Sequence, residues 1–115
     1  MANLATIIKD LELTVLTESL DFEQIEITEG YTSDLLSCVM AGASNQGVWV
    51  TLQAHHNIIA VAALLDLNAV IITEDAQPDA VTIEKANEEG ISLLGSKKTS
   101  FFIVGKLWEA GVKAS

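Results

Sequence analysis

Val48-Trp49-Val50-Thr51, then the apolar run from Ile58 to Leu65, then Ala69-Val70-Ile71-Ile72-Thr73, is the stretch whose reading decides the fold. The first and last segments are rich in β-branched residues, and neither alternates polar with apolar positions. A strand with no polar side needs cover on both faces, as the central strands of a parallel sheet have. Residues 57–65, between them, form a helix that is apolar on every side, so burial on more than one face is expected. Strand, helix and strand at this spacing make a right-handed crossover unit.

The pattern continues in both directions. Pro78 sits where proline opens a helix, Asp79 favours the same first turn, and Gly90 is placed to end it. Residues 91–94 read as a further strand. Thr99 or Ser100 caps a last helix over residues 101–110, stopped by Gly111. Upstream, Ser44-Asn45-Gln46-Gly47 is a turn cluster. Thr32-Ser33-Asp34 offers caps to a helix whose stripe is Leu35, Leu36, Val39, Met40 and Ala43. Gly30 punctuates the chain before it. Residues 4–9 read as an opening helix, with short β segments at 13–16 and 25–28 around an acidic loop. The expectation is an α/β fold. Residues 1–115 form a single domain with a layered, mostly parallel sheet and helices on both faces. The strands at 48–51 and 69–73 should be neighbours or near-neighbours in its centre.

Composition narrows the function. The chain has 115 residues and a net charge of −10, with sixteen acids, six lysines and no arginine. That field repels phosphate backbones and lacks the usual bidentate base reader, so nucleic acid is not an expected partner. A lone cysteine, Cys38, allows no internal disulfide and builds no zinc site alone. It lies among apolar neighbours and is expected to be a buried, inert thiol. The first residues lack a signal peptide's basic and apolar regions, and the longest apolar run, residues 58–65, is too short to span a membrane. A cytoplasmic protein without membrane contact is expected. Residues 35–65 carry no Asp, Glu, Lys or Arg, which points to burial or an interface.

The most distinctive polar stretch is Thr51-Leu52-Gln53-Ala54-His55-His56-Asn57. It joins the carboxyl end of a strand to the amino end of a helix, where open α/β sheets bind ligands and the helix dipole favours anions. Thr51, Gln53, His55, His56 and Asn57 are the expected lining of a pocket, with Ser33 or Asp34 close by. The same side chains also suit a helix cap at His56 or Asn57, and the sequence leaves both readings open. His55 and His56, if helical, point roughly 100° apart, which is not the pairing of helical zinc sites, so no metal is expected. Gly-x-Ser-x-Gly, Gly-Lys-Ser/Thr and Gly-x-Gly-x-x-Gly are absent, which leaves no catalytic residues and no cofactor to assign. Tyr31, Trp49, Trp108, Phe101 and Phe102 are expected to be packing, and Lys97-Lys98 solvated surface.

Gly30-Tyr31-Thr32-Ser33-Asp34-Leu35-Leu36-Ser37, Val39-Met40-Ala41, the stretch from Trp49 to Ala62 and Ala69-Val70-Ile71-Ile72 together resemble a stand-alone DRTGG-domain protein. Pro78 and Glu89-Gly90-Ile91-Ser92-Leu93-Leu94 extend the resemblance over nearly the whole chain. The naming motif itself is replaced. Gly30-Tyr31-Thr32 stands for Gly-Asp-Arg, and Glu74-Asp75 for a later Gly-Gly, so no arginine-based anion site carries over. The resemblance implies a doubly wound fold and a non-catalytic accessory role. Such domains lie beside CBS domains in regulated pyrophosphatases and in the amino-terminal part of some phosphotransacetylases, often at subunit contacts. The layout is similar to the amino-terminal domains of HPr kinase and of Mur ligases. Small versions implied near histidine-kinase and iron-hydrogenase genes suggest a protein partner in signalling or redox metabolism.

Three functions follow as expectations. The first is a regulatory module that binds a small anion or nucleotide, mediates dimerisation, or both. The second is a protein-interaction subunit with no small-molecule ligand. The third is a small enzyme using His55 or His56 as acid or base. A homodimer is expected through residues 35–65, because a single sheet covers only one side of an all-apolar helix. The opening helix folding over that side within the monomer is the competing arrangement.

Overall fold

The computed structural model describes residues 2–114. In chain order the elements are β1 Ala2–Asn3, α1 Leu4–Asp10, β2 Thr14–Val15, β3 Glu26–Ile27, β4 Glu29–Thr32, α2 Leu36–Gly42 and β5 Val48–Thr51. There follow α3 Asn57–Leu64, β6 Ala69–Ile72, α4 Ala80–Glu89, β7 Ser92–Gly95, α5 Ser100–Glu109 and β8 Lys113–Ala114. The main sheet runs β2-β7-β6-β5-β4-β8, parallel except for β2, with β5 and β6 paired at its centre as expected.

Winding direction explains the layers. From β4 to β7 the chain steps the same way each time, and right-handed crossovers then place α2, α3 and α4 on one face. From β7 it runs back across the sheet to β8, which sends α5 to the opposite face. The buried side chains sort accordingly. Val39, Ile58, Ile59, Ala62 and Ala86 pack with Trp49, Val70, Ile72 and Leu93. Leu4, Ile7, Ile103 and Leu107 pack with Val48, Val50, Ala69 and Ile71. Successive residues of β5 and β6 thus serve opposite cores, which is why neither strand carries a polar stripe.

Several expectations are corrected. Gly30 does not break the chain but sits inside β4, opposite Val48. A Cβ there would come within 3.2 Å of Val112 and 3.3 Å of Val48, so the glycine answers crowding rather than a turn. The β segment expected over 25–28 shrinks to β3, which pairs with β1 outside the main sheet. On α2 only Val39 is fully buried, while Leu35, Met40 and Cys38 are exposed, so the thiol is not a core group. A seven-residue helix near the sheet edge has only one line of contact to offer. Phe101, Phe102 and Trp108 are exposed rather than packed, whereas Trp49 is fully buried. Tyr31 is half-buried over Gly42, where no Cβ would fit beneath its ring.

Helix α3 is buried over most of its surface within the monomer, with one stripe left exposed. Neighbouring α2 and α4 cover its flanks, Ala62 is fully buried within the monomer, and only Asn57, Ala60 and Leu64 are exposed. The opening helix α1 lies on the other face and takes no part in covering it.

Candidate functional site

Four parallel strands deliver their carboxyl ends to one edge of the sheet. There β4 leads into Ser33 and Asp34, β5 into residues 52–56, β6 into 73–77 and β7 into 96–99. The indole N–H of buried Trp49 donates to the Ser33 carbonyl at 2.9 Å, tying the first of these loops to the core. Asp34 then reaches sideways. Its Oδ1 accepts from the Thr51 hydroxyl at 2.8 Å and from the Leu52 N–H at 2.9 Å. The Gln53 amide donates to the Asp34 carbonyl at 2.9 Å, and the Gln53 N–H donates to Thr51 Oγ1 at 3.1 Å. Asp34, Thr51 and Gln53 are therefore one hydrogen-bonded unit linking two loops.

This revises the capping picture. Asp34 does not cap α2; only Ser33 serves its start, its Oγ accepting from the Leu35 N–H at 3.1 Å. Neither His56 nor Asn57 caps α3 through its side chain. His55 does so instead, its Nδ1 accepting from the Asn57 N–H at 3.2 Å. The two histidines precede the helix rather than lie on it. Their rings therefore stack, with centroids 4.0 Å apart and planes tilted by 34°, instead of diverging. Both are exposed, as is Asn57, and they follow Gln53 in the same loop.

Beyond the histidines, Asp79 caps α4, accepting from the Thr82 N–H at 2.9 Å and the Thr82 hydroxyl at 2.8 Å. These bonds hold its carboxyl below the usual value of 3.8, and positive charge on His56 and His55 adds to the effect. A carboxyl lowered in the folded state contributes fully above its unfolded value and fades as pH falls through its folded one. The stability gap between the parent and Asp79→Asn is expected to persist down to about pH 4 and to shrink below it. Acid unfolding followed by circular dichroism checks this; a gap constant down to about pH 2 would contradict it.

The same edge holds groups that sequence reasoning passed over. Buried Thr73 places its hydroxyl 2.6 Å from the Ser100 hydroxyl, and its N–H donates to the Thr51 carbonyl. Glu74 accepts from the Ser100 N–H, and the Glu74 and Asp75 N–H groups donate to the Lys98 and Ser96 carbonyls. Glu74 and Asp75 have φ of 61° and 59°, the left-handed region that favours glycine, at the two positions where the resemblance anticipates Gly-Gly. The connection leaving β6 goes to α4 on one face and that leaving β7 to α5 on the other, and beside this divergence lies a cavity of about 380 Å3 lined in part by Asp75, Gln77, Ser96, Lys97 and Lys98. Lys97-Lys98 reads as ordinary surface in the sequence; only the strand order marks its place as a switch point.

Among the described residues no group of three or more His, Cys, Asp or Glu is arranged to hold a metal ion, and no helix is long and apolar enough to cross a membrane. No family model and no curated protein sequence matches the chain. Its fold is similar to that of the CBS and DRTGG domains of the regulatory region of Clostridium perfringens pyrophosphatase, a structure complexed with the activator diadenosine tetraphosphate. The TM-score is 0.67 at 16% identity, over 90% of this chain and 44% of that one. The likeness is one of fold, and the chain spans less than half the length of that structure.

Proposed function

We propose that this chain is a non-catalytic regulatory module of the stand-alone DRTGG type, working in the cytoplasm, which binds a nucleotide or small anionic metabolite at the loop edge over β4 and β5. One observation carries the reading: Asp34, Thr51 and Gln53, drawn from separate loops, are locked together at the carboxyl edge of a parallel sheet beside two exposed, stacked histidines. Asp34 Oδ2 and the Gln53 carbonyl oxygen suit sugar hydroxyls or base edges. The histidine rings offer a stacking face and, when protonated, charge for a phosphate. The binding of a dinucleotide activator by the similar regulatory region favours a nucleotide.

Thermal unfolding with and without ATP, ADP, AMP, diadenosine tetraphosphate and inorganic phosphate tests this. A true ligand at a hundred times its dissociation constant adds about 2.7 kcal/mol. No shift with any of these, at millimolar concentration, would remove the reading. A protein-interaction subunit without a small ligand is the second reading. It is favoured by the internal use of Asp34 Oδ1, the Thr51 hydroxyl, the Gln53 amide and His55 Nδ1.

A further inference from the structure

Helix α5 turns Ile103 and Leu107 into the core and its opposite side to solvent, where Phe101 is 92% exposed, Trp108 52% and Phe102 41%. So much aromatic surface on one short helix forms an apolar patch of the kind that marks an interaction site. Gly105 lies in the middle of that outward side, because at about 100° per residue it falls opposite the line of Ile103 and Leu107. A Cβ at 105 would meet nothing, so packing within the monomer does not require a glycine there. Glycine is also unfavourable inside a helix, which leaves its presence to be explained from outside the monomer.

Two more features bear on what covers this side. Next to Trp108 a cavity of about 300 Å3 opens, lined mainly by apolar groups that include Tyr31, Val104 and Val112. The charge is also inverted here. From residue 90 onward the chain holds four lysines (97, 98, 106 and 113) and a single acid, Glu109, within a molecule of net charge −10. The ammonium groups of Lys98 and Lys113 stand 5.3 Å from the Phe102 ring and 4.4 Å from the Trp108 ring, a charged rim around an aromatic centre.

We propose that this face receives a second copy of the chain, with α5 antiparallel to α5 about a two-fold axis passing between Val104 and Gly105. Phe101 and Trp108 are equidistant from that axis and lie two turns apart on one stripe, so the rotation carries each onto the other. Each Phe101 then seats in the cavity beside the partner's Trp108. Gly105, at the crossing, lets the helices approach closely. Glu109 at one end of α5 is brought toward the partner's Lys97 and Lys98 beyond the other end. The contact surface is thus α5, on the opposite side of the sheet from most of residues 35–65, and it is independent of the proposed ligand site.

Sedimentation velocity on the full chain across the micromolar range decides it. The expected result is a dimer whose dissociation constant rises about tenfold or more with Phe101→Ala, and likewise with Gly105→Gln. Both positions are exposed and glutamine is the better helix former, so neither change should lower the Tm of the monomer, which circular dichroism verifies at a concentration below the parent's dissociation constant. A parent that stays monomeric overturns the proposal. So does a dimer indifferent to both changes, including one split by Leu64→Glu instead, which would return the interface to residues 35–65.

Discussion

Replacing Trp49 with alanine is expected to cost about 3–5 kcal/mol of stability. That is a large share of the roughly 5–15 kcal/mol a domain of this size possesses. The indole is fully buried in the central strand β5, between Tyr31 and Val70 in register, and it shares its core with Val39, Ile58 and Ala62. No neighbour is free to fill the space, since the helices of that layer already pack against one another. The same change removes the hydrogen bond to the Ser33 carbonyl, so the Asp34 loop loses its anchor as well. Trp49→Phe separates these effects. It keeps most of the apolar volume, costs about 1–3 kcal/mol, and leaves the loop untied. Urea titration measures both variants; a Trp49→Ala midpoint equal to the parent's would refute the central role given to this side chain.

Asp34→Ala is expected to abolish any nucleotide-induced thermal shift while costing about 1–2 kcal/mol of stability, because the carboxylate is exposed and water replaces part of what is lost. The buried Thr51 hydroxyl and the Leu52 N–H lose their acceptor, whereas Gln53 keeps its bonds to the carbonyl of residue 34 and to Thr51 Oγ1. Asp34→Asn discriminates between shape and charge. Its carbonyl oxygen accepts from Thr51 and Leu52 in the same place, so the two loops stay joined and stability should return close to the parent's. Retained binding in the asparagine variant would assign Asp34 a positioning role; lost binding would place its charge on the ligand. Full binding by Asp34→Ala would move the site away from β4 and β5.

The similar regulatory structure exceeds this chain by more than half its length. If the α5 contact forms, it covers the face of the sheet opposite α2, α3 and α4. The loop edge and α5 are then separate surfaces: one for a ligand, one for assembly.

Local sequence determined the alternating elements from α2 to α5 and the central pair β5 and β6, because a strand without polar positions has only one comfortable place. It also determined the helix α4, from its Asp79 cap to the left-handed Gly90 at its end. The pairing of the short strands was beyond it. β1 and β8 were not anticipated, and β2 and β3, expected within 13–16 and 25–28, find partners distant in the chain. Tertiary structure alone decided which aromatic groups are core. Trp49 and Trp108 look alike in sequence, yet one faces a layer of three helices and the other faces water. It alone made Asp34 a bridge rather than a cap, since Thr51 lies seventeen residues away and is brought alongside by the parallel pairing of β4 with β5. Periodicity reports how a residue sits in its own element; which neighbour it meets is set by strand order, and strand order is a property of the assembled sheet.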